Sequence, residues 1–130
     1  MQKKLKGNKM KDQILHALVC DSQAQMLIVN ASETAKKAKD LLNLSTGVSY
    51  ALGRLISAGA MLSQRNKSES EKLTLMVNGG GAAGKLIVTA DNLGNIKACA
   101  DNPDAVIPSN EIKLSAIVGT QGQMTGIRDN

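Results

Sequence analysis

With 130 residues the chain has room for one compact domain, and a domain of this size buries about two-thirds of the surface its unfolded chain exposes. Apolar residues at 42% and charged residues at 21% give ordinary globular composition and exclude wholesale disorder. The net charge of +5 is confined to one place: Lys3, Lys4, Lys6, Lys9 and Lys11 supply it, and from Asp12 onward eleven basic residues balance eleven acidic ones.

The elements follow in chain order. The leader MQKKLKGNKM is basic but has no apolar run after it, so it is not a secretory signal, and Met10 is an alternative start that would make residues 1–9 an extension. Residues 13–20 (QILHALVC) and 24–30 (AQMLIVN) are strand-length apolar stretches around Asp21-Ser22-Gln23, which predicts a β-hairpin; a short helix for the first stretch stays open. Ser32 with Glu33 reads as a helix start, a capping hydroxyl followed by an acid in the first turn, with Ala35, Ala38, Leu41 and Leu42 at helical spacing. A second helix is expected from about Gly47 to Gln64 with Val48, Ala51, Leu52, Leu55, Ala58, Gly59 and Leu62 on its inner face. Gly53 and Gly59 each cost such a helix about 1 kcal/mol relative to alanine, which points to close packing at both positions.

Residues 64–72 (QRNKSESEK) read as an exposed polar loop, after which the period falls to two. Leu73, Leu75 and Val77 predict a strand; GGGAAG at 79–84 breaks it; Lys85 to Ala90 and Asn95 to Ala100 read as strands joined by a turn in which Gly94 takes positive φ. Residues 112–118 (IKLSAIV) are expected to be a further strand, Gly119 to Gly122 a turn, and Gln123 onward its partner. The result is an α+β fold: an N-terminal β-hairpin, a helical pair, then an antiparallel β-meander.

Several chemistries fail on context. Gly79, Gly81 and Gly84 fit GxGxxG, and Gly79 to Lys85 fits GxxxxGK, but either phosphate site needs a helix after the glycines. Here LIVTAD follows, and position 86 is Leu where a magnesium-binding hydroxyl belongs, so a wide connection between antiparallel strands is the better reading. His16 is the only histidine, with no ligand partner at metal spacing, and reads as a half-exposed strand residue. Cys20 and Cys99 form no CxxC pair and sit in apolar stretches, which favours packed free thiols and a reducing compartment. The six methionines are scattered and fit gap-filling better than a binding stripe. No Ser–His–Asp ordering or paired carboxylates stand out, so no catalytic residue is expected. Tyr50 is the lone aromatic, which leaves an aliphatic core and no stacking platform for single-stranded nucleic acid. A basic excess held on a tail disfavours nucleic-acid binding, and no stretch approaches the roughly 18 apolar residues of a membrane span.

One resemblance carries further. Met10-Lys11-Asp12 with His16-Ala17-Leu18, Ala51-Leu52-Gly53-Arg54 with Ala58-Gly59-Ala60-Met61, Leu73-Thr74-Leu75, the Gly79 to Gly84 loop with Leu86, Ala90-Asp91 with Gly94, Asn102-Pro103, and Val118-Gly119-Thr120 with Gly122 resemble, in this order, the front part of the redox-regulated 33-kilodalton heat-shock chaperone family. The resemblance implies a cytoplasmic, ATP-independent holdase that binds unfolding polypeptides under oxidative stress. It also implies that full-length members carry a zinc module of four cysteines, a CxC and a CxxC, whose oxidation releases the metal and exposes apolar surface. Cys20 and Cys99 match none of the four, so no redox cysteine, metal ligand or zinc is expected within these residues. Residues 10–130 then stand for an incomplete N-terminal portion of the family's chaperone domain. Unpaired edges and uncovered apolar faces in such a portion predict self-association. Individual client-contacting residues are not assigned by the resemblance.

Overall fold

The computed structural model describes residues 11–108 and 110–129; the basic leader and Met10 lie outside them. The hairpin is as expected: β1 (Gln13–Val19) pairs antiparallel with β2 (Ala24–Asn30), Ile14 opposite Val29 and Leu18 opposite Gln25. Its turn places Cys20, Asp21 and Ser22 at positive φ, an arrangement Asp tolerates better than most side chains.

Helix α1 (Ser32–Leu42) starts where its spacing indicates, but Ser32 does not cap it. The Ser32 hydroxyl instead donates to Asn30 Oδ1, and the orphan amides are met from outside the helix. Asp12, just before β1, accepts from the Glu33 and Thr34 amides at 2.8 and 2.7 Å and from the Thr34 hydroxyl at 2.6 Å. A carboxylate at a helix N-terminus is favoured by those free N–H groups and by the helix dipole. Asn43 ends the helix in the left-handed conformation, its N–H returning to the Lys39 carbonyl.

Helix α2 (Thr46–Ser63) is capped by Ser45, whose Oγ accepts from the Val48 amide and donates to the Ala105 carbonyl. It buries Val48, Ala51, Leu52, Leu55, Ile56, Gly59, Ala60 and Ser63. Ile56 therefore replaces Leu62 on the expected inner face; Leu62 is 41% exposed. Of the two glycines, Gly59 is a close-approach point and Gly53 is not. A Cβ on Gly59 would sit 3.0 Å from Val88 Cγ1 of the sheet, and one on Gly53 would sit 3.4 Å from Ala35 Cβ of α1. The polar loop that follows is not exposed throughout: Glu71 is buried, its carboxylate accepting from the Lys67 amide.

Strands β3 (Lys72–Gly80), β4 (Leu86–Ala90) and β5 (Ile96–Ala100) form the meander, and a last strand, β6 (Gly119–Asp129), returns to the far side of β3. The sheet order is β5-β4-β3-β6, antiparallel throughout. Leu73 and Leu75 of β3 with Leu86, Val88 and Ala90 of β4 turn inward beneath α2, and this aliphatic layer is the core.

The segment from 112 onward departs from expectation, and Gly119 to Gly122, expected as a turn, already belongs to β6. Residues 112–118 do not form a strand: Leu114–Ile117 is a single helical turn, α3, and Gln123 onward pairs with β3 instead. The turn drops Ile117 into the core at 2% exposure. It also aims the carbonyls of Ala116, Ile117 and Val118 at the amides of Ala82, Ala83 and Gly81, so the chain meets its backbone partners without a strand neighbour.

Candidate functional site

The glycine segment carries the two phosphate-loop patterns, and its backbone is engaged elsewhere. Strand β4 follows it, not a helix, as the β-branched residues after Lys85 require. The amides of Gly81, Ala82 and Ala83, which a phosphate would need, donate to Val118, Ala116 and Ile117 carbonyls at 3.0, 3.1 and 2.9 Å. A Cβ at Gly79, Gly81, Gly119 or Gly122 would run into opposing backbone, and Gly119 holds φ at 95°. The glycines let two backbones touch; they do not cradle an anion.

The other chemistry-bearing side chains do not converge. His16 is exposed on β1. Cys20 and Cys99 are free thiols, as expected, but both are exposed rather than packed. Cys20 opens the hairpin turn, and Cys99 lies on β5, opposite Ile87 and on the sheet face away from α2. Their apolar sequence neighbours do not bury them, because a strand alternates faces and a turn has no inner face. No group of three His, Cys, Asp or Glu comes together among the described residues, so the donor set does not fit zinc.

Asp91 is the most perturbed carboxyl. Burial alone would raise it, but the Asn95 side chain and amide, the Lys72 ammonium and the Leu93 amide outweigh that and hold it at about 2. All of these partners lie in its own β-turn or on neighbouring β3, so the carboxylate pins the β4–β5 connection.

The surface offers open aliphatic area. Directly paired residues of a hairpin share a face. One face of β1–β2 carries Ile14, Val29, His16 and Leu27, with Val29 packed on the core. The opposite face carries Leu15 and Ile28, each 53% exposed, with Ala17 and Met26. Nothing among the described residues covers that second face. Met124 and Ile127 on β6 are also more than half exposed. Met26 and Met124 are therefore surface residues, not the gap-fillers their scatter indicated.

A second feature lies between α1 and the free side of β5. It is an open groove of about 690 Å³, floored by Ile56, Ile96 and Ala98, walled by Ala38 and Leu42 of α1 and edged by Lys37, Lys72 and Lys97.

These features define an α+β domain that presents aliphatic surface and keeps its glycine amides for itself. The family model described as Hsp33 protein matches residues 12–130, and the chain belongs to that family. A 33 kDa chaperonin of Clostridium botulinum strain Langeland is 34% identical over 123 residues, covering 92% of this chain and 42% of the relative. The 33 kDa chaperonin of Clostridioides difficile strain 630 is 30% identical over the same coverage. The crystal structure of the 33 kDa chaperonin from Thermotoga maritima superposes with a TM-score of 0.76 at 22% identity, over 90% of this chain and 41% of that one, which shows the shared fold. The chain thus spans about two-fifths of the length of the relatives it matches.

Proposed function

We propose that this chain binds unfolding polypeptides as an ATP-independent holdase, through aliphatic surface and without catalysing a reaction. The observation that supports it most directly is the outer face of the β1–β2 hairpin, where Leu15, Ala17, Met26 and Ile28 form one apolar patch open to solvent. Contiguous exposed apolar area marks an interaction surface, and an aliphatic one suits partners of varied sequence.

On this reading residues 10–130 are the N-terminal portion of the family's chaperone domain and residues 1–9 an extension. The protein works in the cytoplasm, with unfolded proteins and its own copies as partners, and with neither nucleic acid nor membrane. No helix among the described residues is long and apolar enough to cross a bilayer. Redox control by a zinc module belongs to the longer family members, and Cys20 and Cys99 have no part in it.

The test is light scattering of a heat-denaturing client. Suppression that grows with the amount of this chain and needs no ATP is the expected result. No suppression at molar excess would overturn the proposal.

A further inference from the structure

The groove between α1 and β5 joins an aliphatic floor to the edge of the larger sheet. In β5 the Asn95 carbonyl accepts from the Asp91 amide, and the Asp101 amide donates to the Lys85 carbonyl. The residues at these odd positions therefore turn their backbone groups toward β4. By the period of a strand, Lys97 and Cys99 do the same, and Ile96, Ala98 and Ala100 turn theirs outward. Strand β5 is the last in its sheet, so that outward row has no strand partner among the described residues. The side chains of Ile96 and Ala98 floor the groove, while Ala38 and Leu42 of α1 form its opposite wall. Leu41, 71% exposed, stands at the lip.

Charge selects the occupant. Three lysines edge the groove against one carboxylate, Asp91, and Asp91 is committed to Lys72 at 3.2 Å. Lys37 and Lys97 are exposed and have no ion pair with any described residue. The chain's own leader, with five lysines in its first eleven residues, has the wrong sign to lie here.

We propose that this groove takes an extended polypeptide segment of alternating aliphatic and acidic residues, added as a strand on the free edge of β5. Main-chain hydrogen bonds to Ile96, Ala98 and Ala100 hold it in register whatever its sequence. Alternate side chains enter the aliphatic floor and the carboxylates between them turn to the side of Lys97, while Lys37 adds its positive charge at the rim. The inference rests on the holdase reading and narrows it to a class of client segment.

The test uses the full chain and two fluorescent peptides about six residues long, the usual length of a strand, one alternating valine with glutamate and one alternating valine with lysine. The valine–glutamate peptide is expected to bind about tenfold more tightly, with affinity falling as salt rises. Ala98→Pro removes the central outward amide of an edge strand, where proline is tolerated, and is expected to weaken binding about tenfold with an unchanged circular dichroism spectrum. Lys37→Glu with Lys97→Glu, two exposed positions, is expected to reverse the peptide preference. Equal binding of both peptides, or indifference to the charge reversal, overturns the proposal. So does peptide release as protein concentration rises into dimer, which would give the edge to a second copy. Aggregation suppression that survives both variants sinks the groove and leaves the holdase reading standing. Selective peptide binding without suppression does the reverse.

Discussion

At the residue scale, two carboxylates hold segments that lie far apart in sequence. Asp12 joins the start of β1 to the first turn of α1; burial would raise its carboxyl, but the Thr34 hydroxyl and the Glu33 and Thr34 amides bring it below its ordinary value. Asp91 does the same for the β4–β5 turn and β3, at about 2 against an ordinary 3.8. The sign follows from linkage: a carboxyl depressed on folding stabilises above its unfolded pKa and loses that contribution as pH falls through its folded value. Asp91 therefore contributes fully above about pH 4 and fades toward pH 2. Its own surface is 2% exposed, yet the turn is thin and little protein lies beyond it, so screening leaves a contribution on the order of 1 kcal/mol. Urea unfolding of Asp91→Asn is expected to show a loss of this order at pH 7 that shrinks toward pH 2. A loss equal at both pH values would mean that geometry, not charge, is what Asp91 supplies.

At the element scale, α2 shows how one residue type serves two different contacts. Gly53 has ordinary van der Waals room against Ala35, so Gly53→Ala is expected to gain up to about 1 kcal/mol from helix propensity. Gly59 faces Val88, which is fully buried in the middle of the sheet and has nowhere to move. Gly59→Ala is expected to lose stability by about 1 kcal/mol or more, because overpacking outweighs propensity. Thermal midpoints of the two variants moving in the same direction would refute this division. The same helix marks what was legible in sequence. Alternation and turn residues placed the hairpin, β3, β4 and β5, and helical spacing placed α1 and α2, because each buries one face against its neighbours. Residues 112–118 misled because a short apolar run reads alike as strand or buried helical turn. What decides is remote: Gly81, Ala82 and Ala83 need carbonyls from 116–118, and Ile117 fills the space beside Gly47. The remote cap by Asp12 was hidden for the same reason, since Ser32 and Glu33 form a plausible local start. The strand that follows the glycine loop was legible from its β-branched residues. The outer hairpin face and the α1–β5 groove needed register and packing, which composition does not carry.

At the scale of the whole molecule, apolar surface is distributed unevenly, and this bears on the proposed self-association. The four-stranded sheet spends its inner face on α2, whereas the hairpin is apolar on both faces and packs only Val29 against the core, leaving Leu18 on that same face 68% exposed. Strand β6, at the sheet's other end, adds a long open edge with Met124 and Ile127 exposed. The proposed self-association has two candidate drivers, hydrophobic contact at the hairpin and backbone pairing at β6. They separate by mutation. Leu15→Lys with Ile28→Lys replaces two half-exposed side chains on one face, so each change is expected to cost only about 0.5 kcal/mol of fold stability. If the hairpin drives association, the double variant becomes monomeric in light scattering and binds less of a hydrophobic dye at an unchanged secondary-structure signal. If oligomers persist while dye binding falls, the β6 edge holds the copies together and the hairpin patch is left free for clients. Persistence of both oligomer and dye signal would remove the hairpin from either role, and with it the main physical support for the holdase reading.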